Sequence, residues 1–308
     1  MKIIFFTGKG GVGKSTLSAA SAWQLSQKHR VLIVSLDPAP NLGDIFDVTL
    51  NDKKLQFTDT LALQEVDLKK RSKAYLKREI DVLTGTYRYL QTINLDNYFS
   101  ILQYSPGIEE YVLLTSIEET VREENDFDYV VFDTPPTGLT LRFLALPKIT
   151  ITWIERLTKI RQTILEKRHT IHRLRGGLDH EETILNYREE DDDALKRLKS
   201  LNENYRALNT KLQGPECTVV LVYNPDILSL NESKRLIDGL KDLNLPLRLL
   251  INNKVTDDKQ DMIKHVNDRM MAYAPQTAMT GVSLSSVLLD AKKTKLYDIP
   301  EDLASLFG

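Results

Sequence analysis

The feature that most constrains this chain is a glycine-rich loop directly after its first apolar segment: Gly8-Lys9-Gly10-Gly11-Val12-Gly13-Lys14-Ser15-Thr16. The loop fits the phosphate-binding pattern G-x-x-x-x-G-K-[ST]. A backbone that wraps around phosphate oxygens must bring its N–H groups close to them, and glycine permits both that approach and the dihedral angles. The pattern predicts that Lys14 reaches the β- and γ-phosphates of a nucleotide and that Ser15 offers its hydroxyl to Mg²⁺.

The segments around the loop have the order that such a loop requires. Residues 2–7 are apolar, as a buried parallel strand should be, and residues 16–28 have helical spacing without proline. A second apolar run follows at 31–36. Strand, loop, helix and strand in this order favour a ligand-binding loop over a glycine-rich turn without a ligand.

Apolar runs along the rest of the chain predict an α/β fold. Further strong strand candidates lie at 129–132, 218–222 and 247–251, with weaker ones at 61–66 and near 276–280. Helical patterns separate them, which predicts a mostly parallel, doubly wound sheet with helices on both faces. Ligands bind beyond the carboxyl ends of the strands in such sheets. Polar residues end four of these runs: Asp37, Asp133, Asn224 and Asn252.

Two stretches are predicted to be helical rather than part of the sheet. One, at about 68–125, belongs to a core formed by residues 1–148 and 215–308. The other, 149–214, has apolar residues at steps of three, four or seven, which predicts an inserted helical hairpin with a narrow apolar seam. Its first limb is basic and its second acidic, which favours mutual neutralisation over a surface for an anionic partner or membrane.

Composition limits the class of protein. The chain has 308 residues, a net charge of −2 and one cysteine, Cys217. The near-neutral charge gives no general attraction for nucleic acid, and no apolar run approaches the roughly 20 residues that span a bilayer. One cysteine excludes an intrachain disulfide and a Cys-x-x-Cys site. We expect a cytoplasmic protein without a cleaved signal, in which Cys217 is buried and inert.

Two aspartates at strand ends are candidates for chemistry on the nucleotide. Asp133 suits the second Mg²⁺ position, held directly or through water, and the alternative is an aspartate that caps the next turn. Asp37 is the candidate that orients the attacking water; the alternatives are an N-cap or a contact to Mg²⁺ through water. Lys9 could reach across a two-fold dimer to the partner's phosphates, where a cation supplied in trans accelerates hydrolysis.

Several segments together resemble the ArsA/Get3 family, ATPases of the deviant Walker A class. The resemblance rests on the loop with Lys9, on Asp37-Pro38-Ala39 and on Asp133-Thr134-Pro135-Pro136-Thr137-Gly138. Further matches are Ser105-Pro106-Gly107-Ile108-Glu109-Glu110, the segment 226–237, and Ile251-Asn252-Asn253. They span residues 1 to about 255 in the order that the family has.

The resemblance implies a P-loop fold, ATP and Mg²⁺ as cofactors, and a homodimer that meets through its nucleotide face. Gly8 to Thr16 would bind the phosphates and Lys9 would act across the dimer. Asp37 would position the water and Asp133 would anchor a switch loop. Asn252 would hydrogen-bond adenine, and Asp226 would lie near the partner's nucleotide. ATP binding and hydrolysis would then be coupled to a client, such as a tail-anchored or other hydrophobic protein, or to a membrane partner.

The chain also departs from the family pattern. Without a Cys-x-x-Cys pair it is not expected to bind zinc, and one thiol does not suit the several-cysteine metalloid site of arsenite pumps. In members of the family that bind tail-anchored proteins, the client groove is rich in methionine. None of the five methionines of this chain lies in 149–213. An ATPase that drives an arsenite or anion pump, and a MinD/ParA-like positioning ATPase, remain the alternatives. No nucleic acid partner is expected.

Overall fold

The structure is a computed structural model that describes residues 1–86, 105, 107–174, 187–274, 282–288 and 295–307, and only the backbone of 79–86 and 257. Eight strands lie within these residues: β1 (Lys2–Gly8), β2 (Val31–Ser35), β3 (Leu55–Gln56), β4 (Leu61–Glu65), β5 (Tyr129–Asp133), β6 (Cys217–Tyr223), β7 (Leu247–Val255) and β8 (Ser283–Leu288). The helices are α1 (Lys14–Leu25), α2 (Leu42–Phe46), α3 (Leu68–Thr86), α4 (Ile108–Glu123), α5 (Thr137–Leu174), α6 (Asp193–Gln213), α7 (Ile227–Asp242) and α8 (Gln260–Tyr273).

The strands form one sheet in the order β3-β4-β2-β5-β1-β6-β7-β8. Every neighbouring pair is parallel except β3 with β4. The predicted α/β fold with a mostly parallel sheet is therefore confirmed. The phosphate loop follows β1 at the centre of the sheet, with the ends of β5 and β6 on either side.

Both faces of the central strands are buried. Ile4 and Phe6 pack in one cluster with Leu17 of α1, whereas Ile3 and Phe5 are equally buried and point to the opposite face because side chains alternate along a strand. On that opposite face the rings of Phe5 and Phe132 stack 4.9 Å apart. Burial on both faces explains why these strands have continuous apolar sequences.

The chain divides into two compact units. The first contains residues 1–144 and 211–308 and holds the sheet; the second contains residues 145–210. Helix α5 begins at Thr137 and continues through Pro147, so it starts well before residue 149, where the hairpin was predicted to begin. Thr137 and Gly138, the last two residues of the motif that begins at Asp133, already belong to this helix.

The strand predictions can be compared with the structure one by one. The apolar runs that begin at residues 2, 31, 61, 129, 218 and 247 all form strands. The short antiparallel strand β3 was not predicted, and β7 extends to Val255, beyond the apolar run. The strand predicted near 276–280 lies outside the described residues, and β8 follows at Ser283. Within the described ranges, none of the helices is long and apolar enough to cross a membrane.

Candidate functional site

The loop between β1 and α1 has a backbone that only glycine suits at its two ends. Gly8 has a φ of 147°, and a Cβ atom there would lie 2.1 Å from the carbonyl oxygen of Val222. Gly13 precedes α1 with a φ of 96°. Within the described part of the chain, no side chain donates or accepts a hydrogen bond to cap the start of α1. Its first amides are therefore available to a ligand, as at other anion-binding helix starts.

Lys14 lies inside this loop and is only 5% exposed. Its ammonium donates a hydrogen bond to the carbonyl oxygen of Lys9 over 3.4 Å. Burial lowers the pKa of Lys14, and the negative charges of Asp133, Asp37 and Glu232 act in the opposite direction. The negative charges that act on Lys14 therefore come from three separate parts of the chain.

Asp133 ends β5 beside both neighbouring strands. In register it lies opposite Phe6 of β1 and Ser35 of β2, and its side chain is fully buried. Neither carboxylate oxygen has a hydrogen-bond partner of normal geometry among the described residues. Burial raises the pKa of Asp133 to about 6, although the nearby hydroxyls of Ser15 and Ser35 and the charge of Lys14 lower it.

An uncompensated buried carboxylate is costly unless a cation or a donor binds it. Asp133, with the hydroxyl of Ser15 close by, therefore fits a Mg²⁺ ion held directly or through water. When bound beside phosphates, such an ion neutralises their charge. The prediction that Asp133 and Ser15 serve the metal is consistent with this donor set.

Asp37 follows β2 at the same edge of the sheet. Its carboxylate accepts a hydrogen bond from the backbone N–H of Ala39 over 3.0 Å, which closes a tight turn before Pro40. The side chain is partly exposed, and its charge raises the pKa of Asp133 as well as that of Lys14. Asp37 is thus close enough to the loop to act on a ligand there. Lys9, at the mouth of the loop, is also partly exposed.

Threonine hydroxyls hold the segment after Asp133. Thr134 donates to the carbonyl oxygen of Phe6 over 2.8 Å, and Thr140 donates to that of Pro135 over 2.7 Å. Thr137, the first residue of α5, donates to the carboxylate of Glu232 in α7 over 2.5 Å. The sequence analysis quoted Thr134 and Thr137 only as part of a motif and predicted none of these hydrogen bonds, because hydroxyl contacts between distant segments leave no pattern along the chain.

Asn252 and Asp226 are placed differently from the phosphate loop. Asn252 is fully buried in β7, and its side-chain amide donates to Asn267 over 2.7 Å. Its Oδ1 atom has no partner among the described residues, so it can still accept a hydrogen bond such as that of an adenine amino group. Asp226 is the N-cap of α7 and accepts from the backbone N–H of Ser229 over 2.7 Å. The structure gives Asp226 a local structural contact, and its predicted proximity to a partner's nucleotide stays a prediction.

Two neighbours of Asn252 contact the phosphate loop directly, and the sequence analysis assigned no role to either of them. Asn253 donates to the carbonyl oxygen of Val12, and Lys254 donates to that of Gly11, each over 2.7 Å. Both follow the apolar part of β7, so their position at the carboxyl end of a strand was the signal that could have drawn attention to them.

Comparison with known proteins agrees with this geometry. Residues 1–276 match the sequence profile of the family described as Anion-transporting ATPase. A protein of Aquifex aeolicus (strain VF5), provisionally named arsenical pump-driving ATPase 2, is 33% identical over 257 residues, which are 83% of this chain and 80% of the relative. A second protein of the same organism, provisionally named arsenical pump-driving ATPase 1, is 32% identical over 247 residues, 76% of this chain and 58% of the relative.

The match begins at residue 1 and includes the phosphate loop, Asp37, Asp133 and the end of β7. The resemblance noted from the motifs is thereby confirmed, and the chain belongs to the anion-transporting ATPase (ArsA) family.

Proposed function

We propose that the chain is a cytoplasmic, Mg²⁺-dependent ATPase that works as a nucleotide-dependent homodimer and couples its cycle to a client protein. The observation that carries the proposal is the convergence of Lys14, Asp133 and Asp37 at the uncapped start of α1. A lysine inside a glycine loop binds phosphates, and a buried, unpartnered aspartate beside it suits a metal ion.

In this scheme each side chain has a separate task. The loop amides and Lys14 bind the β- and γ-phosphates, and Ser15 with Asp133 hold Mg²⁺. Asp37 orients the attacking water. Its carboxylate is partly exposed and can therefore contact a water molecule, whereas Asp133 is fully buried. Asn252 offers its free Oδ1 atom to the adenine amino group.

The assignment of Asp37 is tested by Asp37→Asn, which keeps the shape of the side chain and removes its charge. We expect hydrolysis to fall about 10²–10⁴-fold, while the protein still binds Mg²⁺–ATP. Asp44→Asn is the matched control, since Asp44 is an exposed aspartate a few residues later in α2. Normal turnover by Asp37→Asn would contradict this role, and turnover that continues in EDTA would contradict the role of Mg²⁺.

The dimer is tested through Lys9. We expect light scattering to show a dimer with Mg²⁺ and a non-hydrolysable ATP analogue. Lys9→Met is expected to slow hydrolysis by about 10³-fold if its ammonium acts on the partner's phosphates. Mixing Lys9→Met with Asp37→Asn subunits should restore part of the activity, because a mixed dimer contains one intact site. A monomer with full activity would exclude the dimeric switch.

Client binding is supported by an apolar stripe on α5 in the second unit. Its members are exposed and lie three or four residues apart: Ile149, Trp153, Leu157, Ile160 and Ile164. Trp153 and Ile160 are 61% and 57% exposed. Such spacing places them on one face of the helix, where an apolar helix of a client could lie.

We would test this stripe with a reporter protein that ends in a single apolar helix. Ile160→Asp should reduce its capture by the purified ATPase and leave ATP hydrolysis unchanged. Thr152→Asp, an exposed threonine of the same helix outside the stripe, is the control. Equal capture by both variants would exclude the stripe as the client site.

A second candidate is an ATPase that drives an arsenite pump, and the names of the two relatives favour it. Against it, Cys217 is the only cysteine, is fully buried and has a pKa that burial raises to about 12. A metalloid binds thiolates, so this side chain offers no accessible ligand. Hydrolysis stimulated by arsenite, in both the natural protein and Cys217→Ser, would support the pump by way of oxygen ligands.

A further inference from the structure

The carboxyl end of β7 holds the phosphate loop through two side chains. The amide of Asn253 donates to the carbonyl oxygen of Val12 over 2.7 Å. The ammonium of Lys254 donates to the carbonyl oxygen of Gly11, also over 2.7 Å. More than 240 residues separate each donor from its acceptor along the chain, by 241 and 243 positions. We call Asn253 and Lys254 the β7 clamp.

The backbone of β7 is irregular where the clamp residues lie. The pairing of β7 with β8 shifts register between Asn252 and Val255, so Asn253 and Lys254 fall in the irregular step. Lys254 has a φ of 59°, in the left-handed region that residues with a side chain rarely adopt. Bulges of this kind redirect side chains and occur beside functional sites, and strained residues persist where their surroundings hold them.

The fit between the clamp and the loop depends on Gly13. A Cβ atom on Gly13 would lie 2.3 Å from the side-chain nitrogen of Asn253, closer than atoms can approach. Asn253 is 8% exposed, so its side chain is enclosed between β7 and the loop. The loop and the end of β7 therefore pack against one another without space for a larger residue at position 13.

The two bonded carbonyls determine where two loop amides point. In a trans peptide unit the C=O and N–H bonds point in opposite directions. Holding the carbonyl oxygens of Gly11 and Val12 toward β7 turns the N–H groups of Val12 and Gly13 away from it. These are amides that the loop pattern assigns to phosphate oxygens.

We propose that Lys254 is a positioning residue for the nucleotide, acting through the Gly11 carbonyl rather than on the phosphates. Together with Asn253 it sets the orientation of the loop amides before the nucleotide binds. The proposal rests on the proposed binding of ATP at this loop. Its role differs from that of Lys14, which is buried inside the loop, because Lys254 is exposed and approaches the loop from outside.

The test compares Lys254→Met, which keeps the length of the stem and removes the ammonium, with Lys254→Arg, which keeps a charged donor. Calorimetry would measure binding of Mg²⁺–ATP and of inorganic tripolyphosphate, which has no base or ribose. We expect Lys254→Met to weaken both ligands about tenfold, the effect of one lost hydrogen bond to a charged donor. Lys254→Arg should recover most of this affinity. Lys264→Met, at an exposed lysine of α8, is the control for the loss of one charge.

Two further measurements separate positioning from other roles. The loss in Lys254→Met should persist at high salt, because a direct hydrogen bond is not screened as a long-range attraction is. The melting temperature without nucleotide should change little, because Lys254 is an exposed residue and a substitution at such a position has a small effect on stability. A loss that disappears at high salt would overturn the clamp in favour of simple charge attraction.

Other outcomes overturn the clamp in different ways. Unchanged affinity of Lys254→Met for both ligands would show that the hydrogen bond does not position the loop. A loss for ATP alone would place Lys254 on the base or ribose instead. If the natural protein bound neither ATP nor tripolyphosphate, the proposed function would fail and the clamp with it, whereas normal binding by the natural protein with no effect of Lys254→Met would overturn only the clamp.

Discussion

Arg161 of α5 and Asp192, at the start of α6, form a two-point ion pair inside the second unit. The Nε and Nη2 atoms of Arg161 donate to the two carboxylate oxygens over 3.0 and 2.6 Å. Asp192 also accepts from the backbone N–H of Leu195 over 2.8 Å, and its side chain is 2% exposed. The pair therefore ties the two helices together and caps the second of them.

Breaking this pair should destabilise the second unit far more than breaking an exposed one. Asp192→Ala removes the buried carboxylate that accepts two hydrogen bonds from Arg161, and we expect a loss of about 3 kcal/mol in the free energy of unfolding. The pair of Arg206 with Glu155 joins the same helices at the surface, and Glu155→Ala should cost less than about 1 kcal/mol. The loss of stability in each variant would be measured by urea unfolding, with hydrogen exchange of the α6 amides as the readout for the second unit. Similar losses in Asp192→Ala and Glu155→Ala would contradict the conclusion that burial strengthens the pair of Arg161 with Asp192.

The same pair has a defined pH dependence. Burial alone would raise the pKa of Asp192, but the hydrogen bonds from Arg161 and Leu195 and the charges of Arg161 and Arg168 lower it below its ordinary value. A lowered pKa means that the stabilisation is present above the unfolded pKa and is lost as pH falls through the folded one. The difference in stability between the natural protein and Asp192→Ala should therefore shrink in acid, below about pH 4.

Asp133→Asn should stabilise the protein without nucleotide at neutral pH. The pKa of Asp133 is about 6 in the folded chain against 3.8 ordinarily, so the folded state keeps a proton that the unfolded state releases. The free energy of unfolding consequently falls as pH rises from the unfolded pKa of 3.8 through the folded pKa of about 6. The neutral amide of Asp133→Asn removes that loss. We expect a gain of about 2–3 kcal/mol at pH 7 and a smaller one near pH 4.5. Urea unfolding in EDTA would show it, with the exposed Asp59→Asn as the control.

An equal effect of Asp133→Asn at the two pH values would mean that charge is not the cause. The same variant should bind Mg²⁺–ATP more weakly, because it lacks the carboxylate that we assign to the metal.

Gly13→Ala should disrupt the phosphate loop, whereas Gly10→Ala should be tolerated. An added Cβ at Gly13 would meet the side chain of Asn253 at 2.3 Å, and the φ of 96° would be strained. At Gly10 the added atom would meet only Pro136, at an ordinary 3.9 Å. We expect Gly13→Ala to lose more than about 1 kcal/mol of stability in the absence of nucleotide and Gly10→Ala to lose less. Thermal unfolding of the two variants measures this, and the reverse order would contradict the packing described for the loop.

Cys217 should be inert in the folded protein. It is fully buried at the start of β6, and burial raises the pKa of its thiol to about 12 despite the charge of Arg248. Since the thiolate is the reactive form, a disulfide reagent such as dithionitrobenzoate should not react with the native protein at pH 8. One equivalent should react after unfolding in urea. Rapid reaction of the native protein would show that local unfolding of β6 exposes Cys217. The thiol would then be accessible to a metalloid, contrary to the argument above.

Local patterns were sufficient for six of the eight described strands and for the phosphate loop. Short apolar runs such as 31–36 and 129–132 are typical of strands that are buried on both faces of a parallel sheet, and the glycine loop has a sequence that few other structures require. The start of α5 was less accessible from the sequence. Two prolines precede Thr137 and a third, Pro147, lies within the helix, so propensity alone places a break where the structure continues.

The sequence alone therefore identified six of the described strands, the phosphate loop and the acids at the strand ends, since each of these depends on residues that are neighbours along the chain. Only the tertiary structure determined that β1 lies between β5 and β6. The same arrangement determines the burial of Asp133, the close approach of Val222 to Gly8 and the hydrogen bonds of the β7 clamp to the phosphate loop. These contacts join residues more than a hundred positions apart. Their energies depend on burial and distance, which exist only once the sheet has formed.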